Sequence, residues 1–117
     1  MADVTVYHNP DCSTSRWAVD TLGELGVDAE LVLYKKTPLD ATGLRAIIAK
    51  LQDPPTDLVR RDALFARLEL TDADVATVDQ VVATLVGHPA LMQRPLLVTA
   101  ETAFIGRPKD RVTTAFG

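Results

Sequence analysis

The fold is decided near the N-terminus, by the stretch Val4-Thr5-Val6-Tyr7-His8-Asn9-Pro10-Asp11-Cys12. Its first four residues alternate as a short β-strand does, and the four that follow are typical of a turn. The next residues, Ser13-Thr14-Ser15, have hydroxyl groups that can cap a helix. The sequence therefore predicts a strand, a turn and a helix, with Cys12 where the turn meets the helix.

A second strand follows that helix. Ala18, Leu22 and Leu25 recur at helical spacing, and Gly26 is a suitable helix end. Leu31-Val32-Leu33-Tyr34 then has the composition of a buried strand. A strand, a helix of about four turns and a strand form one βαβ unit, in which the two strands run parallel.

The middle of the chain is predicted to be helical. Thr37-Pro38-Leu39-Asp40 offers a capping residue, a proline suited to a first turn and an acid near the helix start. The apolar stripe of the helix that follows comprises Leu44, Ile47, Ile48 and Leu51. Short helical pieces are expected around Leu58 and Leu64. A later helix, capped near Thr71, is expected to carry Val75, Val78, Val82 and Leu85 on one face.

The last third returns to β-structure. Leu96–Thr99 and Ala103–Ile105 suit a hairpin, and Pro108 can start a final helix that reaches Phe116. The whole pattern predicts an α/β fold: a thioredoxin-like mixed sheet with a helical insertion between its second and third strands. We expect a single domain over residues 1–117, with the sheet core at 1–36 and 88–117 and the insert at 37–87.

Composition and charge narrow the function classes. The 117 residues are 47% hydrophobic and carry a net charge of −4, which argues against nucleic acid or an anionic membrane as the main partner. No basic leader or apolar run long enough to span a bilayer is evident. These features predict a globular cytoplasmic protein.

Cys12 is the sole cysteine, so the chain can form neither an internal disulfide nor a multi-cysteine metal site. If Cys12 does redox chemistry, the second thiol must come from another molecule. A helix start stabilises a thiolate through its free N–H groups and its dipole, which makes the sulfur nucleophilic. Most lone cysteines are instead small buried hydrophobes. Polar turn and cap residues on both sides of Cys12 favour the nucleophile.

Arginines in stiff backbone settings suggest an oxyanion site. Arg94-Pro95 opens one strand and Arg107-Pro108 closes another, while Arg60 and Arg61 lie in the insert. Guanidinium groups donate paired hydrogen bonds to tetrahedral oxyanions and keep their charge. Any one of them could equally be a solvated surface residue. His8 is open to two interpretations, as a modulator of the thiol or as a strand end.

Four segments closely resemble the glutaredoxin-coupled arsenate reductase family, in order and over nearly the whole chain. They are Tyr7-His8-Asn9-Pro10-Asp11-Cys12-Ser13-Thr14-Ser15-Arg16, Leu58-Val59-Arg60, His88-Pro89 followed by Leu91-Met92-Gln93-Arg94-Pro95-Leu96-Leu97-Val98, and Ile105-Gly106-Arg107-Pro108. The chain lacks the C-terminal extension of the longest members of that family, but the extension holds none of these segments.

The resemblance implies residue roles and partners. Cys12 would be the nucleophile, influenced by His8 and Ser15. Arg60, Arg94 and Arg107 would bind the oxyanion, with Arg60 preferred over Arg61 because it follows the Leu-Val pair. Pro95 would be a cis proline. Arsenate or a similar oxyanion would be reduced to arsenite, with glutathione or another low-molecular-weight thiol as co-substrate and glutaredoxin as reductant. No bound cofactor or metal is implied, and a monomer is expected.

Three other functions stay open at this point. The first is a thiol-disulfide or deglutathionylating oxidoreductase of the same fold. The second is a non-catalytic regulator, since some proteins of this fold bind RNA polymerase; that branch has a Cys-x-x-Cys pair, whereas position 15 here is Ser15. The third is a phosphatase, whose Cys-x5-Arg pattern would need arginine where the chain has Ala18.

Overall fold

A four-stranded mixed sheet organises residues 2–117, the part of the chain that the computed structural model describes. The strands lie in the order β2-β1-β3-β4. Their bounds are Val4–His8 for β1, Ala29–Leu33 for β2, Leu96–Val98 for β3 and Ala103–Ile105 for β4. β1 pairs parallel with β2, and β3 runs antiparallel to both β1 and β4.

The helices surround this sheet. The α-helices are α1 (Ser13–Glu24), α2 (Ala41–Ile48), α3 (Ala63–Arg67), α4 (Val78–Gly87) and α5 (Asp110–Phe116), and short 3₁₀ helices cover Pro55–Leu58, Asp72–Val75 and Pro89–Leu91. All elements from α2 to the last 3₁₀ helix lie between β2 and β3. The predicted α/β class, mixed sheet and helical insertion are therefore confirmed. No helix within residues 2–117 combines the length and apolar character that a membrane crossing requires.

Strand register brings four chain segments to one edge of the sheet. His8 pairs with Leu33 at the ends of β1 and β2, and Leu96 pairs with both Tyr7 and Ile105. As a result β1, β2 and β4 all end at the edge where β3 begins. We call it the C-terminal edge, and in α/β folds such an edge is where sites are usually built.

Alternation along the strands separates two apolar cores. Val6 and Leu97 point to one face, where they pack with α1 and α5. Leu96 and Ile105 point to the other face, which the insert covers. The insert is joined to the sheet by backbone hydrogen bonds, so it is not a separate lobe: the Ala103 N–H donates to the Lys50 carbonyl, and the Gln52 N–H donates to the Ala103 carbonyl.

The second strand is less buried than its sequence suggested. β2 lies at an edge of the sheet, and Leu31 is 45% exposed. Tyr34, just beyond the strand end, is the buried residue of that segment, with 1% exposure. The prediction of a buried strand over Leu31–Tyr34 is wrong in this respect because an apolar run does not reveal whether a strand is central or marginal.

Two predicted caps in the insert also need correction. α2 is capped by Asp40, whose carboxylate accepts a hydrogen bond from the Gly43 N–H at 2.7 Å, and not by Thr37, which belongs to a turn. The helix expected from Thr71 is broken in two, because Thr77 caps α4 anew with a capping box. Val78 therefore begins a helix and is 38% exposed instead of facing the core.

Other sequence predictions for the insert and the C-terminus are confirmed. Leu44 and Ile47 of the α2 stripe are buried, and short helices form at Pro55–Leu58 and Ala63–Arg67. The hairpin of β3 and β4 and the final helix α5 are present. The proposed division into sheet core and insert at residues 36 and 88 stays a prediction, and Met1, which the predicted domain includes, lies outside the described residues.

Candidate functional site

Cys12 occupies the N-cap position of α1, at the C-terminal edge. Its N–H donates to the Asn9 carbonyl at 3.0 Å, and its own carbonyl accepts the first helical hydrogen bond from Arg16. The Arg16 guanidinium reaches back to the Pro10 carbonyl at 2.8 Å and holds the preceding loop. These hydrogen bonds fix the backbone at Cys12. The side chain is only partly buried, so a reactant can still reach the sulfur.

The surroundings of the thiol favour its ionised form. Burial alone raises the pKa of Cys12, but hydrogen bonds from the Ser15 N–H, the Arg94 side chain and the Thr14 N–H, together with the charge of Arg107, lower it by more. The net pKa therefore lies below the ordinary value for cysteine. This balance is the one expected for a thiolate at a helix start.

Arg107 contacts the sulfur directly. One of its terminal nitrogens donates to Cys12 Sγ at 3.3 Å, while its Nε donates to the Arg94 carbonyl at 2.7 Å. The two hydrogen bonds fix the direction of the guanidinium plane. Arg107 thus lies two residues beyond the end of β4, and its side chain reaches the start of α1.

Arg94 lies just before β3, and its side chain helps to lower the pKa of Cys12. One of its terminal nitrogens donates to the Ala90 carbonyl at 3.3 Å, but its Nε is buried and has no hydrogen-bond partner among residues 2–117. A buried N–H without a partner costs free energy, and an anion bound beside it would relieve that cost. The peptide bond between Arg94 and Pro95 is cis, as predicted; the one between Arg107 and Pro108 is cis as well, which was not predicted.

The two insert arginines have different surroundings. Arg60 is delivered by a short antiparallel bridge between Val59 and Met92, in which its N–H donates to the Leu91 carbonyl at 2.8 Å. Asp62 is the ion-pair partner of Arg60, at a long 3.5 Å.

Arg61 is held by contacts within the insert. Its guanidinium donates to the carbonyls of Thr56 and Val59, both at 2.6 Å, and to the Thr56 hydroxyl, and it pairs with Asp72. It also stacks over the Phe65 ring. These contacts occupy Arg61 in holding the insert together, whereas the guanidinium of Arg60 has only the long ion pair with Asp62. Which of the two belongs to the site stays a prediction.

His8 and Ser15 form a buried pair beneath the cysteine loop. His8 Nδ1 and Ser15 Oγ are 2.6 Å apart, and Ser15 Oγ also accepts from the Asn9 N–H at 3.1 Å. Burial, and next the charge of Arg16, lower the pKa of His8, against a smaller opposite effect of Asp20. The neutral ring is therefore favoured. Through the Asn9 N–H, the pair is joined to the loop that carries Cys12. Ser15 also belongs to the first turn of α1, whose N–H groups help to lower the pKa of the thiol.

Sequence reasoning missed Tyr34. The residue is 1% exposed and its hydroxyl donates to the Met92 carbonyl at a long 3.4 Å. Burial raises the pKa of its phenol, and the charges of Arg94 and Arg60 oppose this only in part. The sequence holds one indication. Tyr34 follows directly after β2, and the C-terminal ends of the parallel strands β1 and β2 lie at the same edge of the sheet. The tyrosine was instead assigned to the strand itself.

The arginines can concentrate positive charge around the Cys12 sulfur, although the whole chain carries a net charge of −4. Within residues 2–117, histidine, cysteine, aspartate and glutamate side chains do not gather in threes or more around a possible metal position. The arrangement suits nucleophilic attack by a thiolate on a small oxyanion that the guanidinium groups orient.

Comparison with known proteins agrees with this geometry. The ArsC family model matches residues 7–115. The chain is 38% identical to the uncharacterized protein YfgD of Escherichia coli K12, over 97% of each chain, and 34% identical to an arsenate reductase of Neisseria meningitidis serogroup A, over 96% of this chain and 97% of that one. Among solved structures, an arsenate reductase from Vibrio cholerae superposes with a TM-score of 0.85 at 29% identity, over 97% of each chain. The chain belongs to the ArsC family.

Proposed function

We propose that the protein reduces arsenate to arsenite, with Cys12 as the nucleophile and a low-molecular-weight thiol, glutathione in the first instance, as co-substrate. The observation that carries the proposal is the 3.3 Å hydrogen bond from Arg107 to Cys12 Sγ, with Arg94 beside the same sulfur. An activated sulfur and oxyanion donors at one point are what thiolate attack on an oxyanion requires. Relatives named arsenate reductase support the choice of oxyanion.

In the first step the guanidinium groups bind the arsenate oxygens and turn the arsenic toward the sulfur. The Cys12 thiolate attacks arsenic(V), an S–As bond forms, and one As–O bond breaks. The oxygen leaves as hydroxide and is protonated to water. Arginine is suited to this role because its planar fork matches two oxygens of a tetrahedral anion and stays charged throughout.

In the second step the glutathione sulfur adds to the arsenic, which becomes five-coordinate, and the thiol proton passes to an oxygen bound to arsenic. An S–S bond then forms between Cys12 and glutathione while the bonds from sulfur to arsenic break. The two electrons remain on arsenic, which becomes arsenic(III) and leaves as arsenite. The thiol of glutaredoxin attacks the glutathione sulfur of the resulting mixed disulfide, and Cys12 returns as a thiolate. Since Cys12 is the sole cysteine, both later thiols must be supplied from outside.

A groove beside the site offers room for the second thiol. It has a volume of about 580 Å³, adjoins Arg107 and includes Gln93, Asp57 and Arg61 in its walls. A space of this size accommodates a small organic ligand. The walls also include Asp53 and Asp72, so a thiol that enters the groove meets carboxylates as well as the guanidinium groups of Arg61 and Arg107. We place the reaction in the cytoplasm, which supplies reduced glutathione and glutaredoxin. We propose that the protein acts there as a monomer.

The test is an arsenite assay with purified protein, arsenate, glutathione and glutaredoxin. We expect arsenite to form, formation to need all components, and Cys12→Ser to abolish it. Replacing glutathione by another low-molecular-weight thiol identifies the preferred donor. If no arsenite forms but a glutathione mixed-disulfide substrate is turned over in a Cys12-dependent manner, the protein is the alternative thiol-disulfide oxidoreductase and arsenate reduction is wrong.

A further inference from the structure

We propose that Asp53 and Arg111 are positioning residues of the site: their ion pair fixes the end of β4 and thereby keeps the Arg107 guanidinium against the reactive sulfur. This inference rests on the proposed function for its meaning, but its test needs no arsenate turnover. Three observations carry it: the free side of β4, the hydrogen bonds that the two side chains make there, and the short connection from that point to Arg107.

β4 is the last strand of the sheet, so one of its sides has no neighbouring strand. Alternate residues of a strand direct their N–H and C=O groups to the same side, and on the free side of β4 these residues are Ala103 and Ile105. The backbone of the insert covers Ala103, which exchanges hydrogen bonds of 3.1 Å with Lys50 and of 2.8 Å with Gln52. At Ile105, side chains take over this role.

Asp53 and Arg111 bind both backbone groups of Ile105. One carboxylate oxygen of Asp53 accepts from the Ile105 N–H at 2.9 Å, and the other accepts from the Arg111 guanidinium at 2.7 Å. The same guanidinium nitrogen donates to the Ile105 carbonyl at 2.8 Å and, at a long 3.5 Å, to the Arg107 carbonyl. The side chains of the pair are only 16% and 27% exposed, so water screens this pair less than it screens a surface ion pair.

Only one residue separates this ion pair's binding point from Arg107. Gly106 follows Ile105, and its N–H donates to the Pro95 carbonyl at 2.9 Å, so the backbone is held from the β3 side as well. Arg107 comes next, and its guanidinium donates to Cys12 Sγ at 3.3 Å. Because a hydrogen bond weakens steeply with distance and misalignment, a small shift of this backbone would cost the contact with the sulfur.

The opposite charges of the pair distinguish positioning from a direct electrostatic effect. Loss of a nearby positive charge raises the pKa of a thiol, and loss of a negative charge lowers it. If the pair acted through its charges alone, Arg111→Ala would make Cys12 harder to ionise and Asp53→Ala would make it easier. If the pair fixes Arg107, both substitutions should make Cys12 harder to ionise, because each one loosens the end of β4.

The measurement is the rate of Cys12 alkylation by iodoacetamide against pH, and its midpoint is the pH of half-maximal rate. We expect Asp53→Ala and Arg111→Ala each to raise the midpoint by about 0.5 pH unit, the size of a weakened hydrogen bond to a charged group. Arg45→Ala and Asp79→Ala are the matched controls, since they open an exposed ion pair of the insert, and they should leave the midpoint unchanged. Urea unfolding of each variant checks that the alkylated protein is folded.

A double substitution tests whether the pair acts through Arg107. In an Arg107→Ala background, Asp53→Ala should move the midpoint no further, because the side chain that it positions is gone. Asp53→Asn and Arg111→Lys keep part of the hydrogen bonding; they replace an alanine variant that does not fold, and they should raise the midpoint by less.

Three results would overturn the proposal: midpoints that stay at the native value in folded variants of both residues, shifts of opposite sign, or a further shift in the Arg107→Ala background. The first would leave the ion pair a purely structural contact at the free side of β4. Failure of the unsubstituted protein to form arsenite, with the midpoints as expected, would refute only the proposed function.

Discussion

Arg107 and Cys12, 95 positions apart in the sequence, are joined by a hydrogen bond of 3.3 Å from the guanidinium to Sγ. The Nε of the same guanidinium donates to the Arg94 carbonyl, so the cation cannot leave the sulfur without breaking a second hydrogen bond of 2.7 Å. A cation held in this way stabilises the thiolate before any substrate arrives and stands ready to bind the anion that the thiolate attacks.

Removing this cation should make the thiol harder to ionise. The pKa of Cys12 is lowered in the native protein, whereas the pKa of a free cysteine is about 8.5. The rate of alkylation by iodoacetamide should therefore reach half its maximum at a lower pH than it does for a free cysteine. In Arg107→Ala both the hydrogen bond and the charge are lost, and the midpoint should move to higher pH. Arg107→Lys keeps the charge without the fork and should fall between the two.

Arg45→Ala is the matched control for that experiment, since this arginine pairs with Asp79 in the insert on an exposed face. It should leave the alkylation midpoint where it is. An Arg107→Ala profile that overlays the native one would remove Arg107 from the account of the thiolate.

The adjacent arginines of the insert should differ in what they affect. Arg60→Ala should weaken sulfate or arsenate binding by about 10-fold or more, because a guanidinium that donates to an anion is lost. Arg61→Ala should mainly lower the free energy of unfolding, by about 1–2 kcal/mol, since it removes hydrogen bonds to Thr56 and Val59 and the contact with Phe65. Anion titration and urea unfolding of both variants measure the two effects. The reverse assignment would make Arg61 the site residue.

How much of this could be read from the sequence depends on the range of the interactions. The βαβ unit and the place of Cys12 follow from local alternation, turn residues and helical spacing, all within about 30 residues. The helix break at Thr77 was missed because two capping sites, Thr71 and Thr77, compete within one apolar pattern. The exposure of Leu31 depends on strand order, which no local pattern encodes.

The site divides in the same way. Cys12 is visible in the sequence because its chemistry depends on the turn and helix around it. The preference for Arg60 over Arg61 comes from the family resemblance, while the contacts that occupy Arg61, with Thr56 and Asp72, are seen only in the folded insert. The burial of Tyr34 at the C-terminal edge was missed because parallel pairing of β1 and β2 sets where their ends lie. Long-range pairing therefore supplies what spacing cannot.

Stability should fall in mild acid because of His8. Its pKa is lowered in the native protein, by burial and then by Arg16, so the unfolded chain, with a histidine pKa of about 6.5, binds the proton more readily. The stabilisation is present above about pH 6.5 and is lost as the pH falls through the native pKa. His8→Asn should flatten this part of the curve of unfolding free energy against pH.

His88→Asn serves as the control for the acid transition, because that ring is exposed at the end of α4. Urea unfolding between pH 5 and pH 7.5 gives the comparison. A native curve without a fall in this window, or an identical fall in His8→Asn, would show that the buried His8–Ser15 pair does not set the acid stability.

Gly106 lies directly before Arg107, at a position that leaves too little room for a Cβ. A Cβ at this residue would lie 2.7 Å from Pro95 Cγ, closer than real contacts allow, and 3.0 Å from Leu97 Cδ1, which is tight; a proline ring has little freedom to move away. The backbone of β4 must therefore shift, which strains the hydrogen bond from the Gly106 N–H to the Pro95 carbonyl, and the next residue is Arg107. Overpacking of this kind costs about 1–3 kcal/mol, so Gly106→Ala should unfold at lower urea concentration.

The same shift should separate Arg107 from Cys12, so Gly106→Ala should also raise the pH midpoint of Cys12 alkylation. Gly23→Ala is the matched control: its added methyl group would meet no atom within 4 Å, and alanine favours the helical backbone of α1 by about 0.5–1 kcal/mol. It should unfold at the same or higher urea concentration and keep the native alkylation profile. If Gly106→Ala loses stability but keeps that profile, the close approach of β4 to Pro95 supports the core and not the position of Arg107.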